Sequence, residues 1–412
     1  MSSTVKASDT SRAPSLDIDI FSDAYIADPY PFHAQLRDVA PVILLPRNDL
    51  YVVARHQDVC AALQDWKTFS SAAGVGVWDL RSADNWRSPS IILEVDPPIH
   101  TNSRSVLTRI LSPVAIRNMR AEFARAADEF LDRLVARGSF DAIGDLAQAF
   151  PLRVFPDALG IRPDMRENLV DIGDFNFTAM GPKNDIFLRS QRKAAPLLGW
   201  LNETFQRENL APGKLGAQIY EAADRGEVTE SEAGLLVRSF LFAGIDTTVN
   251  GLGNALYALA RNPDQYARLR ADPSLAKSAF EEALRYDSPV QLFCRIATRD
   301  VEIDGLRIEK GARVALMLGV ANRDPRRFEN PDAYDIIRNT LAHVAFGAGI
   351  HSCLGQMVAR LEGELILGGL ARRVQRLEIS AEPTRRPNNV LRSLETLPLR
   401  VTSAVVAPAQ RG

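Results

Sequence analysis

Cys353 closes a string with little room for accident: Phe346-Gly347-Ala348-Gly349-Ile350-His351-Ser352-Cys353-Leu354-Gly355. Two glycines permit a tight loop, because they reach backbone angles other residues avoid. The apolar pattern that follows predicts a helix starting near the thiol. Unpaired amide N–H groups at a helix start stabilise a thiolate, the form in which cysteine binds metals. Gly355 leaves space for a large flat ligand against the backbone. A second string, Ala243-Gly244-Ile245-Asp246-Thr247-Thr248, sets an acid and two hydroxyls inside an apolar helix. Such groups are costly to bury without partners, and Thr247 is spaced to bond back to the Ala243 carbonyl and loosen the helix. Glu282 and Arg285 stand three apart on one helix face, a spacing shared by Glu122 and Arg125. His100 and Arg104 share a face four residues apart.

These groups need a large body to position them. The chain has 412 residues, 46% hydrophobic and 24% charged, which excludes disorder as its main state. Its charge of 49 − 51 = −2 suggests no nucleic-acid partner. With only Cys60, Cys294 and Cys353, a disulfide framework is not expected and a reducing compartment is. Cys60 and Cys294 read as core or lining residues, and His33, His56 and His343 as ordinary satisfied histidines. No apolar run reaches the roughly 18–20 residues of a membrane span, and Met1–Pro14 lacks a signal peptide's apolar middle. The expectation is a cytoplasmic protein, most simply a monomer: a flexible arm over residues 1–16, then one domain over 17–412. Val42–Leu45 and Tyr51–Val53 around Asn48-Asp49 predict a hairpin, followed by a helix near His56–Asp65. Helical periodicity marks 115–138, 162–172, 186–208 and 228–262, and a long helix follows Cys353 to about Arg373. Alternation broken by turn dipeptides predicts a small sheet over Arg299–Val320. The fold class is mainly α with small β-sheets.

The Cys353 string resembles the haem-binding loop of the cytochromes P450, Phe-Gly-x-Gly-x-His-x-Cys-x-Gly, at every position. Three further features fit in order. Ala243–Thr247 is similar to the family's Ala/Gly-Gly-x-Asp/Glu-Thr, Glu282–Arg285 to its Glu-x-x-Arg, and Asp96–Arg104 to its Asp-Pro-Pro-x-His-x-x-x-Arg. The resemblance implies the P450 fold as one haem-binding domain, with haem b held by the Cys353 thiolate. That ligand favours O–O cleavage. It further implies that Asp246 and Thr247 deliver protons. His100, Arg104, Arg295 and His351 would hold the haem propionates, and Phe346, Gly355, Ala243 and Gly244 would border the haem. Glu282, Arg285 and Arg338 would form a structural ion network. It implies electrons from a soluble [2Fe-2S] ferredoxin and its reductase, since no flavin or NAD glycine motif is evident. Arg323, Arg326, Arg327, Arg360, Arg372 and Arg373 are expected to offer that donor positive charge.

A narrower resemblance concerns substrate. Trp86–Glu94, Val237–Ser239 and Asn388-Asn389 look like bacterial P450s that oxidise para-substituted benzoates, notably demethylating para-methoxybenzoate. A carboxylate entering an apolar pocket needs charge-assisted hydrogen bonds. Arg87, Ser90 and Ser239 match that group's carboxylate positions, with Arg238 as a water-linked supporter. Leu93, Phe177, Ala243, Val290, Phe293 and Leu391 match its apolar wall. Met180 stands where an aromatic residue is expected and Phe242 where a serine is expected, so the preferred para group could differ. Two other readings stay open: a P450 for another small apolar substrate of terpene or macrolide type, and a haem-thiolate sensor without turnover.

Overall fold

The computed structural model describes residues 11–83, 85 and 87–404. Trp86, quoted above, lies outside the described residues, as do residues 1–10 of the expected arm. The rest of that arm is ordered. Ser11–Arg12 pairs in parallel with Leu306–Ile308, and Ser15 bridges Leu44.

The architecture is organised around a 32-residue helix, Glu230–Arg261. Its start is sealed by a reciprocal cap: the Thr229 hydroxyl accepts from the Glu232 amide at 3.2 Å, and the Glu232 carboxylate accepts from the Thr229 amide at 2.7 Å. From Val249 onward it is apolar almost all round and buried, as expected of a helix at the centre of a large core. Helices Ala149–Leu159, Asn168–Thr178, Leu215–Asp224 and Ala276–Tyr286 pack around it. Helix Gln356–Arg373 packs on Ala276–Tyr286 and on Pro113–Arg137. At those contacts Gly363 and Gly369 admit Phe280 and Leu131, whose carbons a Cβ would meet at 2.3 Å.

A five-stranded sheet flanks this body in the order Val42–Leu45, Leu50–Val53, Arg313–Leu316, Phe293–Ala297, Phe69–Ser70. Strand alternation puts Phe293 and Arg295 on one face, while Cys294 is buried in the core behind them. This corrects the sheet expected over Arg299–Val320. Only Val301–Ile303 and Leu306–Ile308 form a local hairpin, turned at Asp304-Gly305. Arg313–Leu316 instead joins the larger sheet, parallel to Leu50–Val53. The helix expected at 162–172 is displaced to Asn168–Thr178, and 186–208 is broken into Asp185–Ala194 and Leu198–Thr204 by a tighter turn containing Pro196. No described helix is long and apolar enough to cross a membrane.

Candidate active site

Between the long helix and the Cys353 loop lies a cavity of about 250 Å³. The loop is shaped as its glycines require: Gly347 and Gly349 adopt φ of 66° and 68°, and a Cβ at Gly349 would stand 2.5 Å from the Leu63 carbonyl oxygen. The Cys353 amide donates to Phe346 O at 2.8 Å and closes the loop. The helix begins three residues later, at Gln356. Burial pushes the Cys353 thiol up, opposed by hydrogen bonds from the Gly355 and Gln356 backbone and by the charges of Arg104 and Arg360. The side chain lines the cavity.

The polar groups around this loop test whether haem fits. His100 Nε2 and both ring nitrogens of His351 are buried without hydrogen-bond partners among the described residues, with Asp96 Oδ1 4.0 Å from His351 Nε2. The two rings lie 4.4 Å apart. Arg295 is 3% exposed and its one hydrogen bond among the described residues goes to the carbonyl of Cys294, its own neighbour, at 2.7 Å. Burial pulls its pKa down to about 10. Among the described residues Arg104 reaches only Ser352 Oγ, at 3.4 Å. Buried donors without acceptors are destabilising unless something else satisfies them. A group with two carboxylates would do so. At Gly355 a Cβ would meet no protein atom within 4 Å, and Gly355 faces the same cavity beside Phe346, Ala243 and Gly244. Thiol, open backbone and unsatisfied cations together fit a haem bearing two propionates, with Cys353 as the residue to hold its iron.

On the long helix, Ser239, Ala243 and Thr247 recur every four residues along the cavity wall. Thr247 Oγ1 donates to the Ala243 carbonyl at 2.7 Å, the back-bond its spacing predicted, leaving its lone pairs toward the cavity. Gly244 admits Phe155, whose ring carbon a Cβ would meet at 2.2 Å. Asp246 stands behind the wall, not in it. It is 3% exposed, and its Oδ2 has no partner among the described residues. Desolvation pushes its pKa up to about 7; the charge of Arg386 opposes this, while Asp174 and Asp171 add to it.

The residues expected to hold an anion, Arg87, Ser90, Arg238 and Ser239, come together on the cavity wall. Arg87 is not free: it makes a bidentate ion pair with Glu94, at 2.5 and 2.8 Å. Ser90 Oγ and Ser239 Oγ lie 3.2 Å apart, joining the loop to the long helix. Arg238 makes no hydrogen bond or ion pair among the described residues, and its guanidinium sits 5.8 Å from the Phe242 ring centre. Leu93, Phe177, Met180, Phe242, Val290 and Phe293 line the cavity. Leu391, expected in the wall, stands one layer back, bridged to Val290. Glu94 carried no role in the sequence reading although it lies inside a quoted string.

Outside the cavity, Glu282 and Arg285 are fully buried and doubly bonded, at 2.7 and 2.8 Å, with Arg338 adding 3.1 Å to Glu282. Remaining Arg285 donors reach the carbonyls of Asn322, Pro331 and Ala333. The expected cationic docking face is largely neutralised. Arg323 is buried between Tyr30 and Tyr286 and paired with Asp332. Arg326 pairs with Asp38, Arg360 with Glu281, and Arg373 with Asp128 and Asp132. Only Arg327 and Arg372 of the six form no ion pair among the described residues. His33 departs from its expected satisfied state, with neither ring nitrogen hydrogen-bonded among the described residues. His56 bonds the Ala342 carbonyl and His343 bonds Glu281.

The family model for cytochrome P450 matches residues 201–402. The chain is 53% identical over 392 residues to cytochrome P450 CYP199A2 of Rhodopseudomonas palustris, covering 95% of both chains. The structure of cytochrome P450 CYP109Q5 from Chondromyces apiculatus superposes with a TM-score of 0.80 at 33% identity, over 95% of this chain and 99% of that one. Cytochrome P450 CREJ in complex with (4-ethylphenyl) dihydrogen phosphate gives a TM-score of 0.84 at 27% identity, over 92% and 98%. With its thiol loop, its unsatisfied propionate-side donors and this likeness across almost its whole length, the chain belongs to the cytochrome P450 family of haem-thiolate monooxygenases.

Proposed function

We propose that this monooxygenase acts on a para-substituted benzoate, with oxidative O-demethylation of para-methoxybenzoate as the representative reaction. The observation that carries the reading is a polar patch, Ser90, Ser239 and Arg238, set beside the apolar side chains Leu93, Phe177, Val290 and Phe293 on the cavity wall. When bound, haem supplies the dioxygen chemistry; the residues of the chain supply anchoring, aim and protons. A carboxylate at Ser90 and Ser239 would exchange its water hydrogen bonds for two hydroxyls and the nearby Arg238 charge. Phe177, Val290 and Phe293 then exclude water around the ring. Ser239 and Thr247 are eight residues apart on one face, about 12 Å along the axis. A rigid aryl acid anchored at the first therefore points its far end toward the helix turn carrying the second. This orientation reduces the entropic part of the barrier. Asp246, poised near neutrality by burial, holds a proton beside Thr247, whose hydroxyl oxygen is free to accept one.

CREJ, as solved, holds an arene with an anionic end, which supports an aromatic anion here by analogy. Electrons would come from a [2Fe-2S] ferredoxin and its reductase, with the enzyme working as a cytoplasmic monomer. Of the six arginines expected to face that partner, Arg327 and Arg372 are without an ion pair among the described residues.

Titration of the ferric protein with para-methoxybenzoate tests the reading. The expected result is a Soret shift to shorter wavelength, followed by formaldehyde release with ferredoxin, reductase, NADH and O₂. No spectral change at saturating benzoate, where imidazole gives one, removes it.

A further inference from the structure

Glu94 is the only carboxylate lining the cavity among the described residues. It is 2% exposed and takes four N–H donors: two from Arg87 at 2.5 and 2.8 Å, one from the Ser90 amide at 3.0 Å and one from the Val75 amide at 3.3 Å. All of its strong acceptor directions are thus used within the chain. Arg87 in turn spends both terminal nitrogens on Glu94, and its side chain is 13% exposed. Arg238 has no such counter-ion among the described residues. Counting charges on this wall, Arg87 and Glu94 cancel and Arg238 leaves +1.

We propose that Glu94 determines the charge selectivity of the substrate site: it cancels Arg87, so that Arg238, left without a counter-ion among the described residues, receives the anionic end of the substrate, while Arg104 and Arg295, which line the same cavity, serve the propionate side. Arg87 then acts as a frame. Through Glu94 it fixes the Ser90 backbone, and so aims the Ser90 hydroxyl at Ser239. A buried anion is favoured where unbalanced positive charge remains, and repelled where an unpaired carboxylate remains. The assignment of anchor and frame is the reverse of the one expected from sequence. It rests on the aryl-carboxylate reading above and specifies how that site is built.

The test is a double-variant cycle on the ferric holoenzyme, reading dissociation constants from the Soret shift and checking folding by haem content. The probes are para-methoxybenzoate and neutral para-methoxybenzamide. Arg87→Gln should weaken benzoate binding about a hundredfold, because Glu94 is left buried and unpaired beside the ligand; adding Glu94→Gln should restore at least about tenfold of that loss. Arg238→Gln should cost about a hundredfold for benzoate, with the amide changing less than about threefold. If Glu94 did not act on the ligand through its charge, Glu94→Gln could not rescue the loss of Arg87. A double variant no tighter than Arg87→Gln therefore overturns the inference. Should Arg87→Gln fail to retain haem, Glu94→Gln alone decides: tighter benzoate binding supports the assignment and weaker binding overturns it. Absence of any benzoate shift in the unmodified protein removes the aryl-carboxylate reading and the inference with it. A normal shift without rescue removes the inference alone.

Discussion

Around Cys353, His100 and His351 bury ring nitrogens that make no hydrogen bond among the described residues, His351 having only Asp96 at 4.0 Å, and Arg295 bonds its neighbour's carbonyl, whereas around Ser239 Arg87 and Glu94 satisfy each other. Both regions line or adjoin one cavity, and both bury cations. The difference separates a permanent guest from a passing one. Donors left open in the folded chain demand an acceptor that stays, which two propionates provide. A self-neutralised pair costs little when the site stands empty between turnovers, and leaves a single charge to attract a monoanion. The Glu282–Arg285–Arg338 network is the self-sufficient extreme: Glu282 and Arg285 are fully buried, Arg338 is partly so, and all three are bonded to one another or to backbone carbonyls away from the cavity.

The sharpest way to break this contrast is to remove one member of each kind. Glu282→Gln leaves two guanidinium groups without their shared acid and should cost roughly 3–5 kcal/mol. Denaturant unfolding should register that loss with and without haem. Arg295→Met should behave oppositely. It removes a buried charge whose only bond is to a neighbouring carbonyl, so apo stability should hold or rise while haem is retained about tenfold less well. Haem transfer to an acceptor apoprotein measures the second effect. If apo stability falls as far as for Glu282→Gln, the open donors are structural and the contrast fails.

A smaller effect concerns pH. The folded pKa of Asp246 lies near 7, above its ordinary value of 3.8, because burial disfavours the charged form. The folded protein therefore holds a proton there that the unfolded chain has already released. Relative to Asp246→Asn, stability should fall as pH rises from about 4 to about 7 and level off above that. Unfolding of both proteins at several pH values checks the sign, and parallel curves contradict it. The same proton should make product yield per NADH fall as pH rises through about 7, a limb that Asp246→Asn lacks.

Much of the haem side was legible in the chain because its signals are local. The glycines and thiol of residues 346–355 lie in one loop, Thr247 bonds a carbonyl four residues away, and Glu282 meets Arg285 within one helix turn. What escaped depends on tertiary pairing. Arg87 and Glu94 meet across an irregular loop with no periodicity to mark them. Arg373 finds acids about 240 residues away, at Asp128 and Asp132, and Arg326 finds Asp38. Charge counted along a sequence says where arginines are, not whether they are already neutralised. Arg313–Leu316 shows the same limit for strands: its alternation is plain, but its partners, Leu50–Val53 and Phe293–Ala297, are set by the fold.

All of this depends on the Cys353 sulfur holding haem iron. The most direct measurement is the spectrum of the reduced protein under carbon monoxide, for the natural chain and for Cys353→His. The account predicts the strongly red-shifted Soret band of a thiolate-ligated ferrous carbonyl in the first and its loss in the second. A natural protein, fully loaded with haem, that lacks this band, or a variant that keeps it, would contradict the account.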